Sequence, residues 1–469
     1  MGSDSLVIRN VHLAFPDPID ERKVWDVHCR NGKITRILPA HPRVHSFVGS
    51  LLDRFLNYAS VIDAESRGLL LPALCHSHIH LDKCFLLDRC ELKTGTFQEA
   101  LAVTSGAKTR FPADPADLLA RGRRLLSESV ICGVTAIRAH VEVDATVGNA
   151  CLDAALALKA EFADVCDVQI AVFAQDPLFD SPDAVTHGAN YVPFAAAATR
   201  DGVSAIGSAP YVERTPSDAA RNVELVLSLA ARHGLFADFH LDYNIDPASC
   251  PQVHGLADTL RERSWDTPVA LGHCTRLSLL DTSGWATLSS RLGSLPVTLI
   301  GLPQSDVYMM RAGGAPRGTI NIPVAARAGV RVALATNNVG NAFTPQGTPD
   351  PLVLCPLGVA LYQDPTPATC RLLLQCVTTA SRAAIGFGAH GADILLRTDD
   401  AADLVLLHDC ASARDAVMCP PFVRTTVRAG RIVAFRRAES WIDSARVYPF
   451  DISGSGRGPH GETTSAGIR

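Results

Sequence analysis

The sequence has no apolar run long enough to cross a bilayer: stretches such as 68–75 and 402–407 stop well short of the ~20 residues a spanning helix needs. Its opening, MGSDSLVIRN, lacks the basic-then-apolar pattern of an export signal. It contains no CxxC pair, which excludes the small zinc fold built on paired cysteines after a proline. Positive charge is not in excess either. Lys and Arg number 43 against 48 Asp and Glu, for a net charge of -5 and a pI near 6.3, so a nucleic-acid or anionic-membrane partner has no electrostatic support. There are 14 cysteines; without an export signal they read as reduced, buried thiols. The expectation is a cytoplasmic protein with no membrane or nucleic-acid partner. The sequence does not decide whether it forms a homo-oligomer.

What is present is a large apolar content, 47% hydrophobic residues over 469 positions. That supplies more core than one barrel needs, so a barrel plus an accessory domain is the natural division. Two β-rich blocks lie far apart, at 5–68 (SLVIRNVHLAF, VWDVHCRNGKITRIL) and after 390 (ADLVLLHD, FVRTTVRAGRIVAFRR). Together they predict a small β-sandwich built from both chain ends, residues 1–68 and 389–452. Segment 40–60 reads as a loop with a short amphipathic helix, and the Gly/Ser-rich tail 453–469 as disordered.

Between the blocks, residues 69–388 alternate. Apolar, β-branched runs fall at 70–80, 134–141, 168–174, 203–208, 235–240, 269–273, 297–301 and 331–336, with helical patterns between most of them. The clearest helix covers 215–233, where Thr215 can cap and Pro216 suits the first turn. Eight strands apolar on both faces, separated by helices, predict an α/β fold of the (β/α)8 TIM-barrel type.

Active sites of such barrels lie at the C-terminal ends of the strands. Strand 1 ends in His76-Ser77-His78-Ile79-His80-Leu81-Asp82-Lys83, strand 2 near His140, strand 5 in His240, strand 6 in His273, and strand 8 in Thr336-Asn337-Asn338. Side chains two apart on a strand share a face, so His78 and His80 can converge on one ion. His76 with His78 is the rival register. A lone buried histidine is usually a hydrogen-bonded core residue; four at strand ends of one barrel are not explained that way.

The string HIHLDK, then His240 in FADFHLD, then His273 in LGHCT, resembles the amidohydrolase superfamily, and within it the branch of bacterial cytosine deaminase and the triazine-ring hydrolases. The segments NGKITRIL and LLLPALCHSHIHLD resemble the family's entry into the barrel. TTASRAAIGFG, GADILL and ADLVLL resemble its exit. The resemblance implies a metal-dependent hydrolase acting on a C–N bond of a cyclic amide, amidine or amino-substituted heterocycle. It also implies one divalent metal ion, Zn or Fe, held by His78, His80 and His240. His273 would act on the attacking water or the tetrahedral centre, and Gln175, Tyr243, His140 and Asn338 would contact a small-molecule substrate.

Two positions depart from the family pattern. Asn337 stands where the family has the metal-binding, proton-accepting Asp. An amide oxygen can touch a metal but cannot take a proton near neutral pH. His273, Asp306 and Asp350 are the candidate replacements. Tyr243 stands where the deaminases carry a proton-shuttling Glu, three residues after His240. These departures leave two alternatives open: a non-hydrolytic metalloenzyme of lyase or decarboxylase type, and a catalytically inactive homologue. Asp82 and Lys83 are expected to brace the end of strand 1 by a salt bridge.

Overall fold

The computed structural model describes residues 5–40, 60–182, 186–311, 317–388 and 393–439. The segment 41–59 and the tail, for which a short helix and disorder were expected, lie outside the described residues. Strands β1 (Ser5–Leu13), β2 (Trp25–Arg30), β3 (Lys33–Pro39) and β4 (Ser60–Pro72) come from the first β-rich block. The barrel strands follow: β5 (Leu74–His80), β6 (Val134–Glu142), β7 (Asp167–Ala174), β8 (Val203–Ser208), β9 (Phe236–Leu241), β10 (Val269–His273), β11 (Val297–Gly301) and β12 (Val332–Leu334). The last three, β13 (Leu404–His408), β14 (Arg424–Arg428) and β15 (Arg431–Arg436), return to the first sheet.

The small domain is therefore one mixed sheet, in the order β15-β14-β13-β4-β1-β2-β3, in which only β1 and β4 run parallel. It carries its own apolar cluster, including Leu6, Ile8, Val27, Leu70, Leu404 and Val427. The chain passes from sheet to barrel between Pro72 and Leu74.

The eight barrel strands pair in chain order, each parallel to the next. Asn337 joins last to first: its carbonyl accepts from His80 N–H at 2.8 Å, and its N–H donates to the His78 carbonyl at 3.1 Å. Most strand positions are buried, as a sheet covered by helices outside and side chains inside requires. The helix Pro216–His233 begins as its sequence predicts: Thr215 Oγ1 accepts from Asp218 N–H at 3.0 Å, Pro216 occupies the first turn, and Gly234 ends it at φ +64. At the opposite mouth from the strand ends, the carbonyl of Ile385 accepts from Arg138 Nη2 and Gln169 Nε2, closing the barrel floor.

Candidate metal centre and pocket

The first strand is not regular. Its pairing with β6 shifts between His76 and Ile79. Strict alternation would put His76 and His78 on one face; the bulge separates them. His76 points to the outer helix, where Nε2 lies 3.1 Å from the Pro349 carbonyl and 3.3 Å from Ser129 Oγ. His78 and His80 point inward. The pair that faces the barrel interior beside His240 is His78 and His80.

Inside the mouth, His240 Nε2 lies 3.1 Å from His78 Nε2 and 3.0 Å from His80 Nε2. Two nitrogens each ~2.05 Å from a tetrahedral cation would be ~3.4 Å apart, so the spacing is close to that of a ligand set. None of the three Nδ1 atoms has a hydrogen-bond partner. Burial first, and the neighbouring imidazoles second, push the pKa of His78 and His240 well below the ordinary value. Burial, then Lys83 and the nearby rings, do the same to His80. The rings are thus held neutral, the form that binds a metal. The donor set fits a divalent cation.

Gly272 lies beneath the cluster. A Cβ there would meet His78 Cε1 at 2.7 Å, so the bare backbone lets the ring sit where it does. Below it, Asp238 Oδ1 lies 3.2 Å from His140 Nε2 and 3.8 Å from His78 Nδ1, while Oδ2 accepts from Arg138 Nη1 at 3.1 Å. His78, His240 and His273 have mutual ligand spacing, and His78, His140 and Asp238 form a second such group. That carboxylate is already paired to the buried Arg138. A third group, Glu142, Asp144 and Asp176, is filled by the Lys108 ammonium, 2.6 Å from Asp144 and from Asp176.

His273 closes the other side. Its Nδ1 lies 2.7 Å from Asp306 Oδ1, whose partner oxygen accepts from Leu302 N–H and Thr319 Oγ1, both at 3.1 Å. Burial raises the Asp306 pKa, and the His273 hydrogen bond opposes that rise. With Nδ1 engaged, Nε2 faces the cavity. His273 and Asn337 both have φ +67, an uncommon left-handed backbone for residues with side chains, found where β10 and β12 end. Asn337 donates through Nδ2 to Ser305 Oγ at 2.7 Å, and its buried Oδ1 has no partner. That orphaned, buried oxygen is an acceptor that a cation would satisfy.

The cavity at this mouth is lined by His80, His240, His273, Asn337, Asn338, Gln175 and Tyr243 among the residues expected from sequence. His140 is not in the lining; its ring lies 4.1 Å, centroid to centroid, from that of His78 and is fully buried. Tyr243 stacks on His273 at 3.7 Å, and burial raises its phenol pKa well above the usual value. Asp242, beside it, caps the helix Val253–Glu262 through Gln252 and Val253 N–H at 2.7 and 3.1 Å. Asp350 pairs with Arg424 at 2.7 Å, away from the cavity.

The expected Asp82–Lys83 brace is not formed. Asp82 accepts from Glu142 N–H at 2.8 Å, whereas Lys83 reaches Glu142 at 3.1 Å and Gln175 Oε1 at 3.0 Å. The reason is alternation past the strand end, which sends the two neighbours in different directions. Phe97, Tyr211, Phe343 and Lys83 complete the lining. The three aromatics come from loops and from a helix outside the barrel, where sequence carries no strand-end signal.

Fold and site together define a (β/α)8 barrel with an imidazole-rich, metal-compatible centre at the C-terminal ends of its strands. Comparisons with known proteins agree. The chain is 24% identical over 385 residues to a pterin deaminase of Rhizobium rhizogenes, covering 80% of this chain and 83% of that one. Its fold matches the crystal structure of 5-methylcytosine deaminase from Klebsiella pneumoniae liganded with phosphonocytosine, with TM-score 0.79, 24% identity, and 93% and 100% of the two chains covered. It also matches atrazine chlorohydrolase from Arthrobacter aurescens complexed with zinc, with TM-score 0.61, 16% identity, and 92% and 95% covered. No protein-family model matches the chain. These likenesses show the barrel fold, shared with deaminases and hydrolases of ring compounds. No helix among the described residues is long and apolar enough to cross a membrane.

Proposed function

We propose that this protein is a metal-dependent hydrolase that cleaves a C–N bond of a cyclic amide, amidine or amino-substituted heterocycle. The observation that carries the reading is the approach of His240 Nε2 to both His78 Nε2 and His80 Nε2, at 3.1 and 3.0 Å, with His273 anchored to Asp306 beside them. His78, His80 and His240 would hold one zinc or iron ion, with Asn337 Oδ1 as a further contact. Such an ion supplies Lewis acidity and brings the pKa of water down to about 7.

His273 presents a free Nε2 while Asp306 holds Nδ1–H. It is therefore the base that accepts a proton from the attacking water and returns it to the departing nitrogen, a role worth ~10²–10⁴ in rate. This replaces the carboxylate that Asn337 cannot supply. Tyr243, stacked on His273 and resistant to ionisation, serves as a wall of the cavity. Gln175 and Asn338 orient the ring. His140, behind His78, holds that ring in place with Asp238.

The test is amine or ammonia release from a panel of ring amides, ring amidines and amino-heterocycles. Chelation should abolish turnover, and one added equivalent of zinc or iron should restore it. A second reading, non-hydrolytic chemistry at the same centre, is favoured by the neutral Asn337. It would be supported if Asn337→Asp hydrolyses the panel and the natural chain does not.

A further inference from the structure

The short helix Pro303–Met309, which follows β11, sends two consecutive side chains to two neighbouring strand ends. Asp306 Oδ1 lies 2.7 Å from His273 Nδ1, and Ser305 Oγ accepts from Asn337 Nδ2 at 2.7 Å. Ser305 Oγ also shares a short hydrogen bond with Thr344 Oγ1, in the loop after β12. Both hydroxyl residues are fully buried. A Ser305 hydroxyl that gives its own proton to Thr344 has only lone pairs left for Asn337.

Asn337 has little freedom besides. Its N–H and its carbonyl are both spent on β5, and its backbone is held at φ +67. With the backbone fixed, a half-turn about Cβ–Cγ remains, which exchanges Oδ1 and Nδ2 with almost no change of shape. That exchange matters to the centre, because an amide oxygen can touch a cation and an NH2 group repels one. In the observed sense the NH2 group is satisfied by Ser305. The oxygen is then the free end of a side chain that lines the mouth with His80, His240 and His273, buried and with no partner among the described residues.

We infer that Ser305, backed by Thr344, is a positioning residue that sets the sense of the Asn337 amide, so that its oxygen and not its NH2 group is presented to the cation. The device is particular to an amide, since a carboxylate has two like oxygens and needs no such setting. The inference rests on the contact proposed above between Asn337 Oδ1 and the ion, but the two fail separately in the test, which reads metal binding and not turnover.

Full-length protein is stripped of metal, and its zinc affinity is measured by competition with a chelator in four forms: the natural chain, Ser305→Ala, Asn337→Asp and the double variant. Without the Ser305 hydroxyl, the NH2 group loses its partner whenever the oxygen faces the ion, which should weaken zinc binding ~10-fold. With Asp at 337 no donor is orphaned, so the same Ser305→Ala change should alter affinity by less than about threefold. A general loosening of the site would instead weaken both backgrounds alike. Should Ser305→Ala not fold, Ser305→Cys, whose thiol is a weak acceptor, should show the same contrast between the two backgrounds. Asn337→Leu, which keeps the bulk and removes the amide, should weaken zinc at least as much as Ser305→Ala does, ~10-fold.

Equal losses with Asn and with Asp at 337, or no loss with either, would overturn the positioning role and leave the proposed centre standing. Full zinc affinity in Asn337→Leu would overturn the contact of the amide with the ion, and a natural chain that binds no zinc would overturn the centre as a whole. The inference falls with either.

Discussion

Replacing Asp306 with Asn removes a charge beside His273 while keeping the size of the side chain. In the natural chain, one carboxylate oxygen takes His273 Nδ1 and the other takes Leu302 N–H and Thr319 Oγ1. An amide has one acceptor oxygen for these three donors. If that oxygen stays with Leu302 and Thr319, the NH2 group faces Nδ1, and the ring must carry its proton on Nε2, where the base is needed. If it turns to His273, the buried Leu302 N–H is orphaned, at a cost of ~1–3 kcal/mol in stability. The first outcome loses the general base, ~10²–10⁴ in kcat, with little change in KM or metal content. Turnover at substrate saturation, metal content and ¹⁵N shifts of the His273 ring together read the result, and the shifts require no substrate. If Asp306→Asn kept kcat within about twofold of the natural chain, with full metal content, His273 would not be the base.

Four other perturbations follow from the same geometry. His240→Ala removes the ring that approaches both His78 and His80, so bound metal should drop from about one per chain to under a tenth by elemental analysis. Gly272→Ala should push the His78 ring and weaken metal affinity ~10–100-fold, measured by competition with a chelator, while circular dichroism stays unchanged. Asn337→Asp adds an anionic ligand at the orphaned amide position and should tighten zinc binding in the same assay.

In metal-free protein, His76, lowered by burial to about 4, and the three cluster imidazoles stay neutral when folded but take protons when unfolded. Each should therefore lower stability by about 1 kcal/mol per pH unit as the pH drops below 6.5, within the window above its folded pKa. Glu142 and Asp242, raised to about 7 and about 6, act oppositely, since only the folded chain keeps their protons there. Asp306 and Glu213 are raised as well, but His254 and His408 are also lowered, so six histidines stand against four acids; urea midpoints should fall between pH 6.5 and 5, and a rise would contradict the assignment.

The barrel was legible in the sequence because its strands are buried on both faces and read as apolar runs; β11 and most of the others begin and end within a residue or two of the runs. The histidines at the ends of β5, β9 and β10 were legible for the same reason, since a polar ring closing an apolar strand stands out. His76 was ambiguous because a bulge, which composition does not mark, reverses its face. Asp238 was overlooked, although it lies two residues before His240 in FADFH and shares that face by simple alternation. The partner of His273 could not be read, because Asp306 reaches it from another strand's end. Lys83 was read as bracing the end of strand 1 with Asp82, whereas it is buried against Glu142 and Gln175.

Crystals of the full-length protein, measured on both sides of the zinc and iron absorption edges, give the most direct test of the centre itself. The geometry predicts one anomalous peak per chain, ~2.1 Å from Nε2 of His78, His80 and His240. Three rings turned apart around ordered water, or a peak seated instead among Glu142, Asp144 and Asp176, would contradict it.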